Sequence, residues 1–177
     1  MKEITFKSQR SIFHYGADVV CITTNGFNKK NGEAVMGRGI AGYVKQKDPI
    51  VAKKLGTANK NNWQKPQIIR DYNGKLLLAS FPVKPQLGLP ENLLPKYQGK
   101  NFSSPIRGMV PGWACKAELE IIEKSAKYLV QMADEHNWKQ IMIPAPGCGN
   151  GGLKYSEVKK ILETILDDRF YICFLKR

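Results

Sequence analysis

Histidine is scarce in this sequence, with His14 and His136 the only two in 177 residues. The four cysteines, Cys21, Cys115, Cys148 and Cys173, stand far apart with no Cys-x-x-Cys pair. A structural zinc site needs four clustered nitrogen or sulfur ligands, so none is expected. A disulfide framework is not expected in a reducing compartment, and the thiols read as buried or incidental. Nothing local suggests a Ser–His–Asp or Cys–His site. No run approaches about 18 consecutive apolar residues, which argues against a membrane-spanning helix and a membrane partner. Met1 to Arg10 has no apolar stretch of the signal-peptide kind, so the expected setting is cytoplasmic. Acidic residues are also few, 15 against 28 Lys and Arg, giving a formal net charge of +13. That balance points to an anionic partner, with nucleic acid contact among the options. The basic residues form short clusters, Lys29–Lys30, Lys53–Lys54 and Lys159–Lys160, and no single run.

Apolar residues are plentiful, at 42%. The length suits one domain, 1–177, with a sizeable core. Residues 3–7 alternate weakly and suit an edge strand, while 18–24 (Asp-Val-Val-Cys-Ile-Thr-Thr) read as a buried β-branched strand. After a polar loop, Met36, Ile40 and Val44 recur at four-residue intervals and predict a first helix, ending before Asp48-Pro49. Residues 75–81 predict a central strand. Residues 82–113 carry six prolines and read as a long ordered loop region with one short helix, a kind of segment that is often functional.

Over 114–135, Cys115, Leu119, Ile122, Ala126, Leu129 and Ala133 follow a 4-3-4-3-4 spacing that predicts the clearest helix. Glu120/Lys124 and Glu123/Lys127 add ion pairs on its outer face. Residues 140–145 read as a buried strand, and Ser156 as the cap of a helix whose core face is Val158, Ile161, Leu162 and Ile165. Phe170 to Leu175 closes the pattern as a strand. Alternating strands and helices predict an α/β protein of three layers, α/β/α, around a central mixed sheet.

Two glycine loops stand out: Gly37-Arg38-Gly39-Ile40-Ala41-Gly42 at the start of the first predicted helix, and Gly147-Cys148-Gly149-Asn150-Gly151-Gly152 between a strand and the last helix. Glycine lets backbone approach a ligand closely, and free N–H groups at a helix start attract phosphate oxygens. Two such loops suggest two phosphates or a pyrophosphate. Both match G-x-G-x-x-G, yet neither has the context of a Rossmann site. The first follows its strand by about a dozen residues and has no acid about 20 positions on. The second leaves only ten residues after Asp167 for the rest of that fold. A P-loop fails too, because Arg38-Gly39 stands where Lys-Ser/Thr would meet phosphate and magnesium.

Ile22-Thr-Thr-Asn25-Gly, Gly32-Glu-Ala-Val-Met-Gly-Arg-Gly-Ile-Ala41 and Ile143-Pro-Ala-Pro-Gly-Cys-Gly-Asn-Gly-Gly-Leu153 together resemble a macrodomain, the ADP-ribose-binding fold. The Val-Met-Gly-Arg-Gly-Ile-Ala form is most similar to the branch of the DNA ADP-ribosyl glycohydrolase antitoxins and the terminal ADP-ribose–protein glycohydrolases. The resemblance implies that Gly37, Arg38, Gly39 and Ile40 wrap the distal ribose and one phosphate. It implies that Pro146, Gly147, Cys148, Gly149, Asn150, Gly151, Gly152 and Leu153 clasp the pyrophosphate.

Asn25 would contact the distal ribose, its plainer role being a turn or cap. Lys84 stands where that branch carries its catalytic lysine, and Asn25 and Lys84 are the expected catalytic pair. Such an amine attacks or polarises the anomeric carbon if desolvation or nearby cations lower its pKa. Two departures stand out. Ser8-Gln9-Arg10 occupies the stretch where many macrodomains hold the adenine amine with an acid, and the second loop has no Asp, with Lys154 following it.

The resemblance implies binding of ADP-ribose or an ADP-ribosylated macromolecule and hydrolysis of the ADP-ribosyl bond to DNA or protein, without metal or cofactor. The alternatives are a non-catalytic binder, an ADP-ribose 1″-phosphate phosphatase, and a nucleic-acid binder whose glycine loops hold no nucleotide.

Overall fold

The computed structural model describes residues 1–176. Its main sheet has six strands: β1 (Lys2–Phe6), β2 (Val19–Asn25), β3 (Ile68–Asp71), β4 (Leu77–Lys84), β7 (Ile141–Pro144) and β8 (Phe170–Leu175). Their order across the sheet is β1-β8-β7-β2-β4-β3. Neighbours from β1 to β4 are parallel, and β3 alone runs antiparallel, on β4. A small second pair is formed by β5 (Leu87–Gly88) and β6 (Val110–Pro111). The helices are α1 (Gln9–Phe13), α2 (Gly39–Lys47), α3 (Ile50–Asn62), α4 (Leu119–Glu135) and α5 (Tyr155–Leu162).

The period-two alternation of strand residues divides the core. On β2, Val19 and Cys21 face one layer, where they meet Ile122, Ala126 and Leu129 of α4 and Val158 and Leu162 of α5. Val20 and Ile22 face the other, with Ile12 of α1, Ile40 and Val44 of α2, and Val51 and Leu55 of α3. A sheet covered on both faces needs near-continuous apolar strands, and β2 and β4 supply them. This is the three-layer mixed-sheet architecture expected from the sequence.

The elements differ from expectation in several places. The Met36–Val44 periodicity belongs to the second helix, and Met36 is buried in the loop before it. Two helices and a strand, α1, α3 and β3, carry no strong periodicity and are additional. The α4 helix starts at Leu119, because Cys115 to Glu118 are held extended: Ala117 N–H donates to Gly151 O and Glu118 N–H to Val83 O. Helix α5 is capped at Lys154, with Ser156 inside its first turn, and the Glu157 carboxylate accepts from Lys154 N–H at 3.3 Å. Within 82–113, residues 82–84 complete β4, and single 3₁₀ turns (Pro90–Asn92, Pro95–Tyr97 and, at its end, Gly112–Ala114) replace the expected short helix. Among the described residues no helix is long and apolar enough to cross a membrane.

Candidate functional site

The five parallel strands end on one edge of the sheet, and Asn25, Lys84, Pro144 and Leu175 are the last residues of β2, β4, β7 and β8. Ligands of α/β sheets bind outside such carboxyl ends. Here the ends open into a cleft of about 490 Å³, within the range of small-molecule sites. Both glycine loops border it: Gly37, Arg38, Gly39 and Ile40 from the first, and Gly147, Gly149, Asn150 and Gly151 from the second. The loops approach closely, since a Cβ on Gly39 would lie 4.0 Å from Asn150 Nδ2.

The glycines divide into two kinds. Gly147 has φ +73°, and a Cβ there would press on Ile122 and Leu153 at 2.9 Å. Gly151 abuts the Gly147 carbonyl, and Gly152 has φ +74°. These three are required by the loop's own packing. Gly37 and Gly149 have ordinary φ, and a Cβ added at either would meet nothing within 4 Å, so the fold does not demand glycine there. Both line the cleft, and what glycine provides there is uncovered backbone on the ligand side.

Lys84 sits at the β4 end of the cleft and is 7% exposed. A register shift at the end of β2 pairs Asn25 with Lys84. The Lys84 ammonium donates to Asn150 O at 2.9 Å and to Trp113 O at 3.1 Å. Burial pulls its pKa down to about 8; the Lys96 ammonium pulls the same way, and the Cys115 thiolate would oppose. The neutral amine has two N–H donors, which match the two carbonyls and leave its lone pair unengaged. Lys96 donates to Asn150 Oδ1 at 3.3 Å, so both lysines hold the same residue of the second loop.

The other walls are also asymmetric. Trp113, Tyr97 and Phe102 form an edge-to-face cluster with centroids 5.3 to 6.2 Å apart, and Trp113 and Tyr97 line the cleft near Lys84. At the β8 end the lining is Gln9, Ile12, Cys173 and Leu175. The charged lining residues are Arg38, Lys84 and Lys96, and no Asp or Glu lines the cleft among the described residues. Nor do three His, Cys, Asp or Glu converge there as metal ligands.

Asn25 lines the cleft but is engaged by the chain: its Nδ2 donates to Val35 O at 3.0 Å and its Oδ1 accepts from Phe27 N–H at 3.0 Å. Its plainer turn-holding role is thus the one its contacts support. Pro146, Cys148, Gly152 and Leu153 do not line the cleft. Leu153 is in the core, Pro146 is buried, and Cys148 Sγ donates to Pro146 O at 3.3 Å, its thiol pushed up to about 11 by burial. Lys96, Tyr97 and Trp113 carry no sequence motif; the proline-rich character of 82–113 was the available signal. Asn59 of α3 donates to Asn25 O at 3.2 Å and Asn28 Oδ1 at 3.0 Å, holding the end of β2 and the chain after it from a helix the periodicity does not reveal.

No family model matches the chain, and no curated protein matches it by sequence. Solved structures do match. The macrodomain of Mycobacterium tuberculosis DarG is 20% identical with a TM-score of 0.62, over 92% of this chain and 91% of that one. The macrodomain of Thermus aquaticus DarG is 18% identical with a TM-score of 0.65, over 99% and 98%. Thermosipho africanus DarTG, in complex with ADP-ribose, is 19% identical with a TM-score of 0.63; the match covers 93% of this chain and 39% of that one. At these identities the likeness establishes the fold, which is that of the macrodomains.

Proposed function

Taking the macrodomain fold as premise, we propose that this protein, as one macrodomain over 1–177, binds ADP-ribose in the cleft and hydrolyses the ADP-ribosyl glycosidic bond to an acceptor on DNA or protein. The observation that carries the binding half is the lining. Three cations and two sterically unneeded glycines surround it, and no carboxylate opposes an anionic ligand. Three strand spacings separate β8 from β4, about 14 Å. That length suits a ligand with an apolar base at one end, a diphosphate between the glycine loops and a sugar at the Lys84 end. The complex of Thermosipho africanus DarTG with ADP-ribose supports the same ligand.

Lys84 supports the hydrolytic half. An amine with a pKa near 8 is substantially neutral at mildly alkaline pH, and its lone pair is free to act on the anomeric carbon. We assign Lys84 the catalytic role and give Asn25 the shaping of the wall beside it. Lys84→Ala is expected to lose turnover on ADP-ribosylated DNA and protein while binding ADP-ribose within a few-fold of the unaltered protein. Undiminished removal of ADP-ribose by that variant contradicts the role.

One observation favours a second reading, a binder without turnover: no carboxylate lines the cleft to activate water. Tight ADP-ribose binding with no product on any ADP-ribosylated substrate decides for it.

A further inference from the structure

A shallow groove of about 600 Å³ runs along α2 beside the cleft. Its lining residues Arg38, Gly42 and Lys45, and again Gly39, Tyr43 and Gln46, are spaced four and three apart, so they share one face of the helix. Gly42 keeps the floor bare, since a Cβ there would lie 3.1 Å from the Gly37 backbone. The groove and the cleft meet at Gln9 and at Gly37 to Gly39, which line both. Its polar lining is short of partners. The Arg38 guanidinium, the Tyr43 hydroxyl and the Gln46 amide make no hydrogen bond with any described residue, while the Tyr43 ring packs on Phe13. Lys45 shares its carboxylate: Glu33 Oε2 lies 3.9 Å from Lys45 Nζ and 3.4 Å from Lys29 Nζ. Two ammonium groups thus crowd one acid, and the contact with Lys29 lowers the Lys45 pKa. No Asp or Glu lines the groove among the described residues. An anion placed here meets two cations and no opposing charge.

The next step rests on the nucleotide reading of the cleft. With the base at the β8 end, the nucleoside half of the ligand lies where the cleft opens into the groove. The ligand's own diphosphate stays between the glycine loops and leaves the groove unused. We propose that the groove is a subsite for a further phosphate carried on the nucleoside ribose, so that the protein takes nucleoside diphosphate riboses phosphorylated at that sugar in preference to the unphosphorylated ones. Arg38 stands between the two compartments and can face either phosphate. Lys45 lines the groove and not the cleft, so it answers to the added phosphate alone. A phosphate monoester near neutral pH carries a charge of about −1.5 to −2. It supplies the anion that Lys29 and Lys45 lack with one carboxylate between them.

The test is calorimetric titration of ADP-ribose, and of its 2′- and 3′-phosphates on the adenosine ribose, into the unaltered protein, Lys45→Glu and Lys160→Glu. Lys160 is exposed on α5, in the opposite helical layer, and its variant makes the same change of charge away from the groove. It separates a local site from the pull of a +13 chain on any added charge. The unaltered protein is expected to bind one of the two phosphates about fivefold or more tighter than ADP-ribose, and less so as salt rises. Lys160→Glu should keep that ratio. Lys45→Glu should bring it within about twofold, while ADP-ribose itself binds all three proteins within about threefold. No preference for either phosphate, or a preference that survives in Lys45→Glu or falls equally in Lys160→Glu, overturns the subsite while leaving nucleotide binding in place. Failure of the unaltered protein to bind any of the three ligands overturns the nucleotide reading and this one with it.

Discussion

The two glycine loops meet across one cleft yet are built in opposite ways. The chain leading into the first, Gly37 to Ile40, is held by asparagines: Asn59 of α3 reaches Asn25 and Asn28, Asn28 Nδ2 donates to Gly56 O at 2.6 Å, and Asn25 Nδ2 donates to Val35 O at 3.0 Å. Its Arg38 and Gly39 are exposed, and Ile40 is buried. The second is wedged into the core, where Gly147 and Gly151 leave no room for a Cβ. A glycine-rich motif thus mixes two requirements, packing and access, which the sequence writes with the same letter. Gly37 and Gly149 belong to access, and Gly147, Gly151 and Gly152 to packing.

The largest effect should come from challenging the packing kind. Gly147→Ala puts a Cβ against Ile122 and Leu153 at φ +73°. Left-handed backbone costs about 1–2 kcal/mol and overpacking about 1–3 kcal/mol, so a loss of roughly 2–5 kcal/mol is expected in denaturant unfolding. A loss below about 1 kcal/mol would erase the distinction between the loops. Gly37→Ala is the counterpart: the melting temperature should hold, while ADP-ribose affinity falls several-fold because the new methyl stands in the cleft.

A smaller effect sharpens how the second loop is held. Lys84 and Lys96 both bond Asn150, and Lys96 helps depress the Lys84 amine. If hydrolysis uses the neutral amine, its rate should rise with pH to a plateau through about 8, and Lys96→Met should move that inflection upward. An inflection unmoved by Lys96→Met would separate the two lysines. The smallest effect is on stability. The pKa of Lys84 is near 8 folded against the ordinary 10.5, so between those values the unfolded chain binds the extra proton and stability rises with pH. Lys84→Met should flatten that rise in unfolding measured from pH 8 to 10.5.

The parts written in strong periodicity were legible in the sequence. Strand β8 falls on Phe170–Leu175 as expected, and β2 and β4 need only small shifts of their ends. Helix α3 was not legible because its buried face includes Ala52, Gly56, Ala58 and Asn59, small or polar residues that carry little hydrophobic signal. Gly56 is small for a reason visible only in three dimensions, its backbone lying against the Gly32 carbonyl. At the site, Lys84 and the glycine loops were legible from motif and position. Lys96, Tyr97 and Trp113 were not, because long-range packing brings them to the cleft and no local spacing announces it. The division between Gly149 and Gly151 is likewise a fact of neighbours, invisible in Gly-Asn-Gly.

A Cβ on Gly149 would meet nothing within 4 Å, so the fold does not need glycine there; the proposed function depends on its keeping the cleft open to a phosphate-bearing ligand. Titration of ADP-ribose into the unaltered protein and into Gly149→Glu tests it most directly, with melting curves beside it. The expected result is measurable binding by the unaltered protein, a loss of about a hundredfold or more in Gly149→Glu through bulk and like charge, and a melting temperature that barely moves. Equal affinity of both proteins for ADP-ribose, or no binding by the unaltered one, would contradict it.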